Sequence, residues 1–148
     1  MSRYMSGEYE HKLDTKNRLI MPSRFRAELG ASFWMTKGGD NCILVFPDEA
    51  WKTFVDTLNA LPYNSKKAQQ ARRHYIASAY PCEPDAQGRT LVPQKLREHA
   101  NITRDLTIVG IGDKLEIWSR ENWQKIQQEA DESMVISDDE DVDVPIVF

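Results

Sequence analysis

Apolar and polar positions along this chain fall into short blocks, and the blocks come in two sets. The first set opens with "RLIMP" (18–22), a brief apolar run closed by Pro22. Proline cannot donate to a sheet but suits the first turn of a helix, so a strand should end here and a helix begin. "SRFRAELG" (23–30) predicts that helix, two turns long, with Phe25 and Leu29 on one face and Gly30 as its stop. "FWMTKGGDNCILVF" (33–46) is two β-rich runs around Gly-Gly-Asp-Asn, the signal of a hairpin. In "PDEAWKTFVDTLNAL" (47–61), Trp51, Phe54, Val55, Leu58 and Leu61 keep helical spacing and predict a buried stripe.

The second set follows the same order: "RTLVP" (89–93), "QKLREHA" (94–100), "LTIVGIGDKLEIW" (106–118) around a Gly112-Asp113 turn, and "SRENWQKIQQEA" (119–130). Between the sets, "SKKAQQARRHYIASA" (65–79) predicts a helix without a counterpart. Its Ala68, Ala71, Tyr75 and Ala79 face one way, with Lys66, Lys67, Arg72 and Arg73 largely elsewhere.

The correspondence extends to individual residues. "DTKNRLIMPSRFR" (14–26) returns 71 positions later as "DAQGRTLVPQKLR" (85–97). Asp14, Arg18, Pro22 and Arg26 recur as Asp85, Arg89, Pro93 and Arg97; Ile20, Met21, Arg24 and Phe25 recur conservatively as Leu91, Val92, Lys95 and Leu96. Upstream, Tyr9 matches Tyr80; downstream, Phe46 and Trp51 match Trp118 and Trp123. Each copy is an arm, a short strand, a short helix, a hairpin and a helix. A copy of about 55 residues has too little core to stand alone comfortably, so two copies should pair and share one β core. The expected fold is a β-dominated, pseudo-symmetric α+β unit with short helices outside. Its divisions are a first repeat (4–60), a connecting helix (61–76), a second repeat (77–130) and an acidic tail (131–148) expected to be disordered.

Composition permits this, because 41% of the 148 residues are hydrophobic, enough for a real core. The net charge of −4 hides an asymmetry. Eight of the 23 acids lie between Glu129 and Phe148, where there is no Lys or Arg. The remaining 15 acids face all 19 bases, a body of about +4 with an acidic tail. That asymmetry raises nucleic acid as a partner. No apolar run approaches the 18 or so residues of a membrane span, and no signal-peptide core is visible at the N-terminus. A cytoplasmic, nucleoid-associated protein is expected, with Cys42 and Cys82 as free thiols.

No constellation for catalysis is visible. His11, His74 and His99 lack ligand spacing to one another or to the cysteines, so neither a metal nor a cofactor is expected. Phosphate-cradling glycine loops and the nucleophile elbow are also absent. What remains is the doubled Asp-x-x-x-Arg. Seen once, it is an exposed ion pair worth about 0–1 kcal/mol. Seen twice at matching positions, it asks for a use. "TKN" and "AQG" between acid and base are turn residues, and Asn17 and Gly88 both tolerate positive φ. A carboxylate across such a loop holds a guanidinium in one orientation, and arginine forks onto guanine O6 and N7 or onto phosphate. Candidate DNA contacts are therefore Arg18 and Arg89, braced by Asp14 and Asp85. Arg3, Lys12, Lys16, Arg24, Arg26, Lys95 and Arg97 supply charge for phosphates.

"GEYEHKLDTKNRLIMPSRFR", with its second copy "DAQGRTLVPQKLR", resembles the MraZ family, which is related to the AbrB-type swapped-hairpin DNA binders. The resemblance covers roughly residues 4–130. It implies a double-split β-barrel, ring-shaped homo-oligomers, and a bacterial transcriptional regulator. Such proteins usually repress the promoter of the division and wall-synthesis gene cluster that encodes them. The family's DNA-contact motif maps onto Asp14 and Arg18, and onto Asp85 and Arg89. A ring would repeat the contact along short direct repeats spaced by about one helical turn, roughly 10 bp. Two departures are visible: Gln87 stands where the first copy has Lys16, and the acidic tail is long. An antitoxin-like interaction module of the same fold is the rival reading.

Overall fold

The computed structural model describes residues 4–135; Arg3 and the tail from 136 onward lie outside the described residues. Among the described residues eight strands and five helices follow in the order the repeats predict, with an added strand in each arm. The first repeat holds β1 (Met5–Lys12), β2 (Arg18–Ile20), α1 (Ser23–Leu29), β3 (Phe33–Lys37), β4 (Ile43–Pro47) and α2 (Asp48–Asn59). The linking helix is α3 (Lys66–Tyr75). The second repeat holds β5 (Tyr80–Cys82), β6 (Arg89–Leu91), α4 (Gln94–His99), β7 (Asp105–Gly112), β8 (Leu115–Ser119) and α5 (Arg120–Val135).

The two repeats are interleaved, not placed side by side. A six-stranded antiparallel sheet runs β1-β7-β8-β4-β3-β5, and β2 pairs with β6 in a separate two-stranded ribbon. Exchanging the repeats leaves this order unchanged, so a pseudo-twofold axis passes between β4 and β8 and through the ribbon. The first strand of each repeat pairs with the hairpin of the other: β1 with β7, β5 with β3. Neither half closes its own sheet, as expected of two halves too small to fold alone.

Strand alternation then builds three layers. Ile43 and Val45 of β4, Leu115 and Ile117 of β8, and Leu106 and Ile108 of β7 point to one side. There they meet Leu19 of the ribbon, Phe25 of α1 and Leu96 of α4. Leu44 and Phe46, Trp118, and Val109 point to the other side, against Trp51 and residues of α2, α3 and α5. The core is thus a sheet buried on both faces, with the ribbon, α1 and α4 above and the longer helices below. This is the β-dominated α+β fold of two repeats expected of a split barrel, with its strands divided between two sheets.

Some local expectations need adjustment. The stripe on α2 buries Trp51 and Leu58, but the helix ends at Asn59 and Leu61 is exposed. The last helix runs to Val135, past the residue-130 boundary of the repeat. Both arms begin as strands, of which β1 is eight residues long. At the pairing Gly7↔Gly110 the chains approach closely: a Cβ on Gly110 would stand 2.5 Å from the Ser6 nitrogen. Among the described residues no helix is long and apolar enough to cross a membrane.

Candidate nucleic-acid interface

Between β1 and β2 the chain turns on Asp14. Its Oδ1 accepts the backbone N–H of Lys16 (2.9 Å) and of Arg18 (2.8 Å). Its Oδ2 accepts Nε–H of the Arg18 side chain at 2.8 Å. The main chain closes the same loop, with Asn17 N–H donating to the Asp14 carbonyl and Asp14 N–H to the Arg18 carbonyl, each at 3.0 Å. Asn17 takes φ 62°, the left-handed conformation its short amide side chain tolerates.

The second loop reproduces this atom for atom. Asp85 Oδ1 accepts from the backbone of Gln87 (3.0 Å) and Arg89 (2.8 Å), and Oδ2 from Arg89 Nε at 2.8 Å. Gly88 takes φ 80° where the first loop has Asn17. In both loops the backbone N–H of the arginine, then its side chain, hold the carboxyl below the usual carboxylate range. The loops therefore keep their acids ionised at neutral pH.

Each aspartate occupies Nε and leaves the two Nη groups of its guanidinium to other partners. Both arginines are partly exposed, with side chains 25% (Arg18) and 32% (Arg89) accessible. Arg89 Nη2 also donates to Gln87 Oε1 at 3.1 Å; Arg18 has a lysine, Lys16, at the matching place. The ribbon register, Arg18↔Leu91, Leu19↔Thr90 and Ile20↔Arg89, sets the loops against each other across the pseudo-twofold axis. Arg18 Nη1 approaches Asp85 Oδ2 at 4.0 Å, so the two arms form one compact head.

Of the other predicted contacts, Lys12 ends β1 and Lys16 lies in the first loop, both exposed. Arg26 crosses to the opposite arm, its Nη1 lying 3.1 Å from where a Gly88 Cβ would sit. Arg97 sits beneath the ribbon, donating through Nε to the Val92 carbonyl at 2.9 Å. Arg24 is directed elsewhere, toward Tyr9 Oη (3.4 Å) and Ser6 Oγ (3.3 Å) on β1. Lys95 is exposed on α4. Two features escaped the sequence reading. The Arg104 carbonyl accepts the Leu13 N–H (3.0 Å), bringing another exposed base to the root of the first arm; 91 positions of separation left no signal for it. Ile20 and Leu91, in runs read only as short apolar strands, are exposed on the outer face of the ribbon.

Other chemistry is scarce. Cys42 and Cys82 are buried free thiols, pushed up to about 12 and about 11 by desolvation, so neither is a ready nucleophile. Among the described residues, no group of three or more His, Cys, Asp or Glu is placed to hold a metal ion. His74 and His99 instead meet the Gly38 and Asp40 carbonyls at the β3–β4 turn.

A family profile described as "MraZ protein, putative antitoxin-like" matches residues 4–74 and again 75–144. The chain belongs to the MraZ family. Its relatives include proteins called Transcriptional regulator MraZ. The one from Heliobacterium modesticaldum is 48% identical over 124 residues, 84% of this chain and 87% of its own length. The one from Caldanaerobacter subterraneus subsp. tengcongensis is 43% identical over 129 residues, 87% of this chain and 90% of its own. A third, from Lachnoclostridium phytofermentans, is 48% identical over 118 residues, 80% and 83% of the two chains. These MraZ names are those of regulators, not enzymes. Each of the two MraZ repeats contributes one Asp-x-x-x-Arg loop to the head.

Proposed function

We propose that the protein is a sequence-specific DNA-binding transcriptional regulator that reads its operator with the paired loops and the β2–β6 ribbon. The observation that carries this is the pair of identically braced guanidiniums on one exposed head. A two-stranded ribbon fits the B-DNA major groove, about 12 Å wide, and a guanidinium held through Nε retains Nη–H donors that can turn to guanine O6 and N7. Holding both arginines in advance lowers the entropy lost on contact. Lys12, Lys16, Arg26 and Arg104 sit around the head and suit phosphates, the salt-dependent part of affinity.

In this reading the regulator represses the promoter of its own division and cell-wall gene cluster. Copies arranged head to tail in a ring contact successive direct repeats, since such an arrangement repeats one head at a fixed spacing. Gel shifts at several salt concentrations, with DNA from upstream of the protein's own gene, test it. Binding of that fragment over an unrelated one, lost with Arg18→Ala, is the expected result. Equal binding of both fragments would sink it. The antitoxin-like wording of the family description favours a second reading, a protein-interaction module. That reading predicts no preference for the upstream fragment.

A further inference from the structure

The outer face of the ribbon carries four side chains, and only two of them are polar. Strand alternation sends Leu19 and Thr90 into the core, 0% and 3% exposed, and leaves Arg18, Ile20, Arg89 and Leu91 outside. The register puts Arg18 directly opposite Leu91 and Ile20 directly opposite Arg89. Each arginine therefore has an aliphatic residue directly opposite it across the ribbon, with Cβ atoms about 5 Å apart as in any directly opposed pair.

Ile20 is 41% exposed and Leu91 57%, whereas the apolar neighbours Leu19, Met21, Val92 and Leu96 are essentially inaccessible. A single exposed aliphatic is ordinary on a protein surface. Here two of them occupy pseudo-symmetric positions, 71 residues apart, each beside a braced arginine. A protein partner covering this face would also desolvate two guanidiniums whose close carboxylates lie on Nε, with Asp85 4.0 Å from Arg18 Nη1. The major groove of DNA suits all four groups, because it offers guanine acceptors together with one apolar group, the thymine C5-methyl.

Resting on the DNA-binding reading above, we propose that Ile20 and Leu91 are specificity-determining contacts. They pack on C5-methyl groups of thymines one or two base pairs from the guanines that Arg18 and Arg89 engage. The register sets each aliphatic side chain beside an arginine on the same face, so the two can reach neighbouring base pairs. The head thus selects mixed G/T operators, and a purely G·C sequence satisfies only half of it.

The test removes the methyl without changing base pairing. The upstream fragment is prepared with thymidine or with deoxyuridine throughout. The full chain should bind the uracil fragment about fourfold more weakly for each methyl it contacts. The double variant Ile20→Ala/Leu91→Ala, whose fold is checked by its circular dichroism and melting temperature, should bind both fragments equally. Its affinity should match that of the unaltered chain for uracil DNA. Equal binding of the two fragments by the unaltered chain overturns the methyl contact while leaving the DNA-binding reading intact. So does a preference for thymine that survives in the double variant. If the unaltered chain shifts neither fragment, the DNA-binding reading fails, and the methyl contact fails with it.

Discussion

Asp14 satisfies three donors with two oxygens, and two of those donors belong to Arg18. Deleting the arginine removes a partly exposed guanidinium from a polar loop without opening the core. Arg18→Ala should therefore keep the fold and lose about 1–3 kcal/mol of discrimination per contact, read as operator affinity in a gel shift. Arg89→Ala should do the same or less, since its arm carries Gln87 in place of Lys16. Asp14→Asn is the sharper probe. An amide oxygen still accepts from the backbone, but without the carboxylate charge the hold on Arg18 Nε weakens. Binding should fall, although removing an acid near DNA would by charge alone raise it; tighter binding would make the acid a bystander. The pH dependence has a definite sign. A carboxyl held low in the folded loop stabilises it above the ordinary carboxylate range, and that contribution is lost as pH falls through the lowered value. Carboxyl resonances of Asp14 and Asp85 followed by NMR should titrate below the usual range, and unshifted midpoints would contradict the bracing.

At the scale of elements, the pairing of β1 with β7 is a demanding contact. Gly110 faces backbone, with Ser6 N and Met5 C within 2.6 Å of a hypothetical Cβ. Backbone cannot swing aside as a long side chain does. Gly110→Ala should push β1 off the sheet edge and destabilise the protein by about 1–3 kcal/mol, the usual range for overpacking. Denaturant unfolding measures this, and an unchanged midpoint would mean that β1 is not seated as described. The strand was hard to read in advance. "MSGEYEHK" is mostly polar, contains a glycine at φ 91°, and pairs only with a partner about a hundred positions away. By contrast α1, α2, α4 and both hairpins followed their apolar spacing and turn residues, because those signals act between near neighbours.

For the whole molecule, assembly depends on the apolar surface that one chain leaves exposed. Six aromatics, Phe33, Trp34, Phe46, Trp51, Trp118 and Trp123, look too many for a small core. Yet four of them, Phe33, Phe46, Trp51 and Trp118, are buried within the single chain. Trp34 stacks on Trp51 with ring centroids 5.2 Å apart, and both Trp34 and Trp123 stay partly exposed. Trp34 and Trp123 are thus the two of these aromatics with surface left to share between subunits. The two repeats also end differently. The groove by the start of β1 is lined by Glu28, Asp48, Glu49 and Asp113, whereas the matching groove of the second repeat holds Asp105 and Glu121 together with Arg120, which stands where the first has Asp48 and pairs with Asp105. Unlike ends suit the head-to-tail contact a ring requires. Light scattering at micromolar concentration should report a particle several times the 17.1 kDa chain mass, and a clean monomer would defeat the ring.

The amino-acid sequence by itself determined the duplication, the strand–proline–helix units, the hairpins, and the loop chemistry down to the positive φ at Asn17 and Gly88. All of these rest on residues a few positions apart, where steric limits and hydrogen-bond partners are local. Tertiary structure alone decided that β1 joins β7 and β5 joins β3, that Arg26 reaches the opposite arm, and that Arg18 comes within 4.0 Å of Asp85. It also decided that Ile20 and Leu91, apolar residues in apolar runs, stay outside. Leu19 and Thr90 take the inward positions of the ribbon, and among the described residues its other face leaves Ile20 and Leu91 exposed. Pairing across the repeats depends on which surfaces remain after each segment has packed, and no pattern confined to one segment carries that.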